Sequence, residues 1–106
     1  MVTTNVTYIT GQPYSTTVAA GNDVEVKLLS EDGTPGVVCT VGVTGTTITG
    51  NVYYSVAPDP QGSDRWILAE GGALTAVDSA GFSFDTQITG IKIEATTNTH
   101  TVDIIG

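Results

Sequence analysis

Asp23-Val24-Glu25-Val26-Lys27-Leu28 places Val24, Val26 and Leu28 on one side of an extended chain and Asp23, Glu25 and Lys27 on the other. A hydrophobic period of two is the mark of a β-strand with one dry face and one wet face. Ile91-Lys92-Ile93-Glu94-Ala95 repeats the scheme near the opposite end. Between and around these two stretches, about ten short alternating runs are cut apart by Gly, Pro, Asn and Asp.

The runs cover residues 2–10, 14–19, 23–30, 37–44, 48–57, 65–69, 73–77, 82–85, 90–95 and 100–105. Ala20-Gly21-Asn22 and Glu31-Asp32-Gly33-Thr34-Pro35-Gly36 read as turns. So do Gly45-Thr46-Thr47, Gly71-Gly72 and Asp78-Ser79-Ala80-Gly81. The longest loop is Pro58-Asp59-Pro60-Gln61-Gly62-Ser63, where two prolines stop any strand. The last two runs read as a hairpin around Thr96-Thr97-Asn98. No window shows a 3.6-residue period, and Thr, Val and Gly are poor helix formers. Ile-Thr-Gly occurs at 9–11, 48–50 and 88–90, but the flanking residues differ and the composition makes the tripeptide by chance.

A chain of 106 residues is the size of one domain. Apolar residues are 40% of it, enough for a single two-layer core. Charged residues are only 13%, about half the usual share. Nineteen threonines fill the gap and suit solvated strand faces. The formal net charge is −8. Three cations cannot neutralise a run of phosphates, so no nucleic-acid partner is expected, and an anionic membrane surface would repel the chain. The acidity serves solubility, or docking onto a basic partner. Met1-Val2-Thr3-Thr4-Asn5-Val6 has no basic segment followed by an apolar one, so synthesis in a cytoplasm without general secretory export is expected. No apolar run approaches membrane-spanning length.

Chemistry-bearing residues are scarce. His100 is the sole histidine and shares parity with Val102 and Ile104, so it reads as a sheet residue turned partly inward. Cys39 shares parity with Val37, Val41 and Val43 and reads as a small buried hydrophobe. Two potential zinc ligands do not make a zinc site. Asp59, Asp64, Glu31 and Asp32 lie in loops without the spacing of a calcium loop. No catalytic residue, cofactor or metal is expected, and the chain does not read as an enzyme. The aromatic side chains hold the remaining signal. Tyr53 and Tyr54 face opposite ways on a regular strand, so one of them reaches the surface. Tyr53, Trp66 and Tyr14 are the candidate interface residues, through ring contacts to a protein or a sugar.

Over residues 52–105, Val52-Tyr53-Tyr54-Ser55 leads through a polar loop to Arg65-Trp66-Ile67-Leu68, then Phe82-Ser83-Phe84, then Ile88-Thr89-Gly90-Ile91-Lys92-Ile93, and ends in Val102-Asp103-Ile104-Ile105-Gly106. This order resembles the small β-sandwich proteins of bacteriophage virions, of the capsid decoration (cement) or head-fibre type. The resemblance implies a place on the outer capsid surface after assembly in the host cytoplasm. It also implies the major capsid protein and copies of the chain itself, as a homotrimer, as partners.

The expected fold is all-β, an antiparallel β-sandwich of eight to ten short strands, with a jelly roll as one form of it. The expected domain spans residues 1–106, with 1–10 as an N-terminal arm or edge strand. The expected core is Val24, Val26, Leu28, Val41, Val52, Tyr54, Trp66, Leu68, Phe82, Phe84, Ile91, Ile93, Val102 and Ile104. The expected function is a non-enzymatic capsid decoration protein. The alternative is a receptor- or glycan-binding module of a tail or head fibre.

Overall fold

In the computed structural model, which describes all 106 residues, the alternating runs form seven strands and no helix. They are β1 (Thr3–Ile9), β2 (Tyr14–Val18), β3 (Asp23–Leu29), β4 (Val37–Ser55), β5 (Ile67–Ile88), β6 (Gly90–Thr97) and β7 (His100–Ile105). The all-β class is as expected. The strand number is lower than eight to ten because β4 and β5 run for 19 and 22 residues through places expected to be turns. Gly45-Thr46-Thr47 bends β4 without ending it, and Gly71-Gly72 and Asp78–Gly81 stay within β5. A two-strand ladder continues through such points when one residue per strand takes up the kink in the left-handed region. Thr47, at φ 49°, does so in β4, and Ala76, at φ 51°, in β5.

The expected terminal hairpin is absent. β6 pairs with 49–55 of β4, and β7 pairs with 40–44 of the same strand. The two therefore lie end to end along β4, with Asn98 (φ 64°) between them. The cause is competition for ladder partners: the long edge of β4 offers both segments an antiparallel neighbour, so neither pairs with the other. β2 and β3 repeat this arrangement along β7 and β6, with Tyr14 opposite Ile104 and Asp23 opposite Glu94. Their joining turn, at Gly21 (φ 85°), stays bonded to β6 through Gly21 N–H to Ala95 O and Ala95 N–H to Asn22 O.

Four ribbons thus lie side by side: β5, β4, β6 with β7, and β3 with β2. Each crosses one common line with a residue at positive φ: Ala76, Thr47, Asn98 and Gly21. Folding the sheet along that line sets two halves face to face. The first half contains β1, β3, β6, 49–55 of β4 and 67–74 of β5. The second contains β2, β7, 37–44 of β4 and 77–88 of β5. At the end away from the corner, the chain passes from β1 to β2 through Gly11-Gln12-Pro13. It then runs through β2 into β3, so β1 meets β3 in parallel, from Thr3 opposite Asp23 to Ile9 opposite Leu29. That edge departs from the purely antiparallel expectation. Residues 3–9 are an edge strand on their own sheet.

Near β1 the halves are tied together. Gly106 N–H donates to the Tyr8 hydroxyl at 3.0 Å, and the Tyr8 and Tyr14 rings lie 6.3 Å apart. Tyr54 and Phe84 meet across the other side at 5.6 Å. One continuous core fills the space between. It contains most of the expected residues, together with Ile48, Ile88, Leu74, Tyr8 and Val18. Tyr54 and Phe84 pack against it partly buried. Trp66 and Leu68 are corrections. Tyr53 pairs with Leu68 but Asn51 pairs with Ala73, so β5 carries extra residues at 69–72. This bulge resets the alternation. Leu68 is left outside beside Tyr53, and Ala69 and Leu74 are turned inward.

Candidate functional site

The outer faces of the two halves differ, and the difference begins with strand register. On the first half, Lys92 of β6 stands directly opposite Glu25 of β3 and Tyr53 of β4. Its ammonium lies 3.6 Å from Asp23 Oδ2 and 3.7 Å from Glu25 Oε2, with the Tyr53 and Trp66 rings about it at 5.9 and 6.0 Å. The Tyr53 hydroxyl donates to Glu94 Oε1 at 3.1 Å; burial first, and then that carboxylate, push the phenol above its ordinary range. The loop 56–66 lies over this cluster. Gln61 Nε2 donates to Val6 O and Glu25 O, and Gly62 N–H donates to Glu25 Oε1 at 2.7 Å. Pro60 and Trp66 press onto Gly90, where a Cβ would lie 2.7 Å from the proline ring and 3.0 Å from the indole. The indole Nε1 is buried without a partner. Asp23 and Glu25 are 2% and 5% exposed. The arrangement is a latch that ties loop to sheet.

No loop covers the outer face of the second half. Four neighbouring strands present Ser15 and Thr17, then Thr101, Asp103 and Ile105, then Val38, Thr40, Gly42 and Thr44, then Ser79, Gly81, Ser83 and Asp85. Gly42 and Gly81 are cross-strand partners, so the centre of the face lacks side chains, and an open hollow of about 340 Å³ lies there between Ser15, Thr40, Gly42, Asp103 and Ile105. Val38 and Ile105 are 50% and 57% exposed. The three cations of the chain, Lys27, Arg65 and Lys92, all belong to the first half and its loop. The bare face carries only Asp85 and Asp103 as charges. It is broad, rich in hydroxyls and weakly anionic, which suits flat hydrogen-bonded contacts.

Of the three aromatic candidates, Tyr53 and Trp66 come together over Lys92, half-buried in the latch. Tyr14 sits on the second half, half-buried against Tyr8. The three do not form one platform. His100 is fully buried in the corner, with Nδ1 3.0 Å from Asn98 O and Nε2 without a partner, and no carboxylate or hydroxyl is bonded to it. Cys39 is buried, which pushes its thiol up to about 11, away from nucleophilic reactivity. No group of three His, Cys, Asp or Glu side chains converges where it could hold a metal ion. Asp32 instead closes its own turn, accepting from Ser30 Oγ and Thr34 N–H. The bare face was missed at the sequence level. The even positions of 37–44 announce an outward row, but its lateral neighbours come from strands far away in sequence.

No protein-family model matches the chain, and no curated protein matches it. The solved structures similar to it include three at low identity. Aeromonas hydrophila PliG, a periplasmic inhibitor of g-type lysozyme, is 8% identical with a TM-score of 0.42, covering 97% of both chains. The pre-peptidase C-terminal domain of a Bacillus anthracis collagenase is 11% identical with a TM-score of 0.40, covering 95% of this chain and 92% of that one. CorA, a surface-associated copper-binding protein of Methylomicrobium album BG8, is 10% identical with a TM-score of 0.43, covering 97% and 98%. Likenesses this distant transfer no function.

Proposed function

We propose that this protein is a non-enzymatic adhesive module that works through the bare outer face of its second sheet half, and that it decorates the outside of a phage head. The observation that carries the adhesive reading is the contrast between the two outer faces. One is roofed by a loop and locked by an ion cluster, and the other is four strands wide and uncovered. A face without cations fits a partner that brings its own basic or donor groups. The capsid setting rests on the resemblance of residues 52–105 to virion β-sandwich proteins. Many weak contacts of this kind, repeated over a shell, add up through multivalency. The glycan-binding alternative is not favoured, because Trp66 and Tyr53 turn their rings toward Lys92.

The test is to count copies per purified particle and to measure rebinding to stripped capsids. Many copies and saturable rebinding are expected. Gly42→Trp should reduce rebinding at least about tenfold by placing an indole over the centre of the face. It should still fold, because nothing lies within 4 Å of a Cβ at Gly42. Absence of the protein from particles would overturn the capsid setting. Unimpaired rebinding of Gly42→Trp would overturn the choice of face.

A further inference from the structure

We infer that two copies of this chain pair edge to edge through residues 79–85 of β5, in antiparallel register about a two-fold axis, to form a dimer. β5 pairs with β4 alone, and its other edge faces no strand of the molecule. Outside the ladder with β4, no hydrogen bond engages residues 79–88. Exposed edges in natural sheets are normally guarded by lysine, proline, a bulge or short length. Here 79–84 runs through consecutive unshifted pairs with β4, and Asp85 is the single charge over 79–88. The other two free edges are weaker templates. β2 has five residues and follows Pro13, and β1 has seven, with Val6 O already taken by Gln61.

The occupant is a second copy because this segment complements itself. Centred on Phe82, the antiparallel register sets Phe82 against Phe82, Ala80 against Phe84, Gly81 against Ser83 and Ser79 against Asp85. On the core side two Ala80–Phe84 pairs flank the central pair of Phe82 rings, and two hydroxyl–carboxylate pairs form on the outer side. No carboxylate faces another, so the acidity of the chain does not forbid this contact. Isologous pairing of this kind closes on itself and stops at two. Beside the edge lies a groove of about 520 Å³, lined among others by Tyr54, Ala69, Glu70, Phe82, Phe84 and Ile88. The core-side residues of the incoming strand project over it, as in other strand additions. If the docking reading also holds, pairing joins two bare faces into one surface of doubled width. The pairing itself needs no capsid.

Sedimentation equilibrium on the full chain over about 0.01–1 mM tests the pairing, a range suited to a small interface. The mass should rise from 10.9 kDa toward twice that value. Ser79 is exposed, so Ser79→Asp and Ser79→Lys should fold alike, which far-ultraviolet circular dichroism checks. Ser79→Asp sets carboxylate against Asp85 and should keep the protein monomeric. Ser79→Lys creates two cross-strand ion pairs and should lower the dimerisation midpoint about tenfold. The dimer stands in place of the homotrimer that the resemblance implies, so a trimer, a strictly monomeric protein, or equal midpoints for the two variants would overturn the inference. None of these results bears on capsid rebinding, so the two proposals fail separately.

Discussion

At Lys92 one cation serves two buried carboxylates, and that asymmetry decides what its loss does. Replacing Lys92 with Met removes the charge while keeping the aliphatic stem that Trp66 and Tyr53 cover. Asp23 and Glu25 are then left buried without a counterion, a situation that costs about 3 kcal/mol in other proteins. The expected outcome is a drop of that size in urea-unfolding stability, with the sheet pattern unchanged by circular dichroism. Gly50 makes a second point. A Cβ there would lie 2.1 Å from Glu94 O and 2.8 Å from His100 Nε2. Gly50→Ala must push β4 away from β6, and a loss of about 3 kcal/mol is expected, measured the same way. Asp32 shows a local effect without burial. Its carboxyl is held down to about 2, chiefly by Ser30 Oγ and then by Thr34 N–H, against an ordinary 3.8. The folded value lies below the unfolded one, so the carboxylate favours the closed turn at every pH above about 4, and that preference fades as the pH falls through about 2. The Thr34 amide resonance should therefore titrate with a midpoint near 2, and Asp32→Ala should abolish the titration.

At the scale of elements, the corner is what distinguishes this chain from an ordinary hairpin stack. Three residues with side chains, Thr47, Ala76 and Asn98, hold positive φ where four ribbons bend together. Asn tolerates that region, but β-branched Thr does so at a cost of about 1–2 kcal/mol. Thr47 is exposed, so Thr47→Gly removes the strain without opening the core. Subtracting the backbone entropy of glycine leaves an expected gain of roughly 0.5–1 kcal/mol, visible as a higher urea midpoint at unchanged m-value. The corner also shows why strand counting from turn residues overshoots. Gly45-Thr46-Thr47 and Asp78–Gly81 have the composition of turns. A turn ends a strand only if the chain reverses there, and partners flanking 45–47 on both edges carried β4 through the bend as one strand.

For the whole molecule, net charge and its placement govern behaviour in solution. Eleven acids face three cations, and the second half carries no cation at all. Self-repulsion among exposed carboxylates is screened by salt, and the buried Lys92 cluster is screened far less. Adding about 0.5 M sodium chloride is therefore expected to raise the thermal midpoint by about 2–4 °C, corresponding to roughly 0.5 kcal/mol, as read by scanning calorimetry. A fall would show that exposed ion pairs, and not repulsion, dominate.

The alternation at 23–28, 37–44 and 91–95 by itself determined the all-β class and half of the core, because a period of two assigns each side chain to a face whatever its neighbours are. The same parity, carried over 37–44 and 100–105, turned Cys39 and His100 inward. Only the tertiary structure decided that β6 and β7 share β4 instead of each other, that the bulge at 69–72 expels Leu68, and that Tyr53 and Trp66 close over Lys92. It alone separated the roofed face from the bare one. The physical reason is that periodicity is a local property of the backbone. Partner choice, sheet folding and the covering of a face depend on contacts between residues tens of positions apart, where competing pairings of similar local quality are ranked only by how the whole sheet closes.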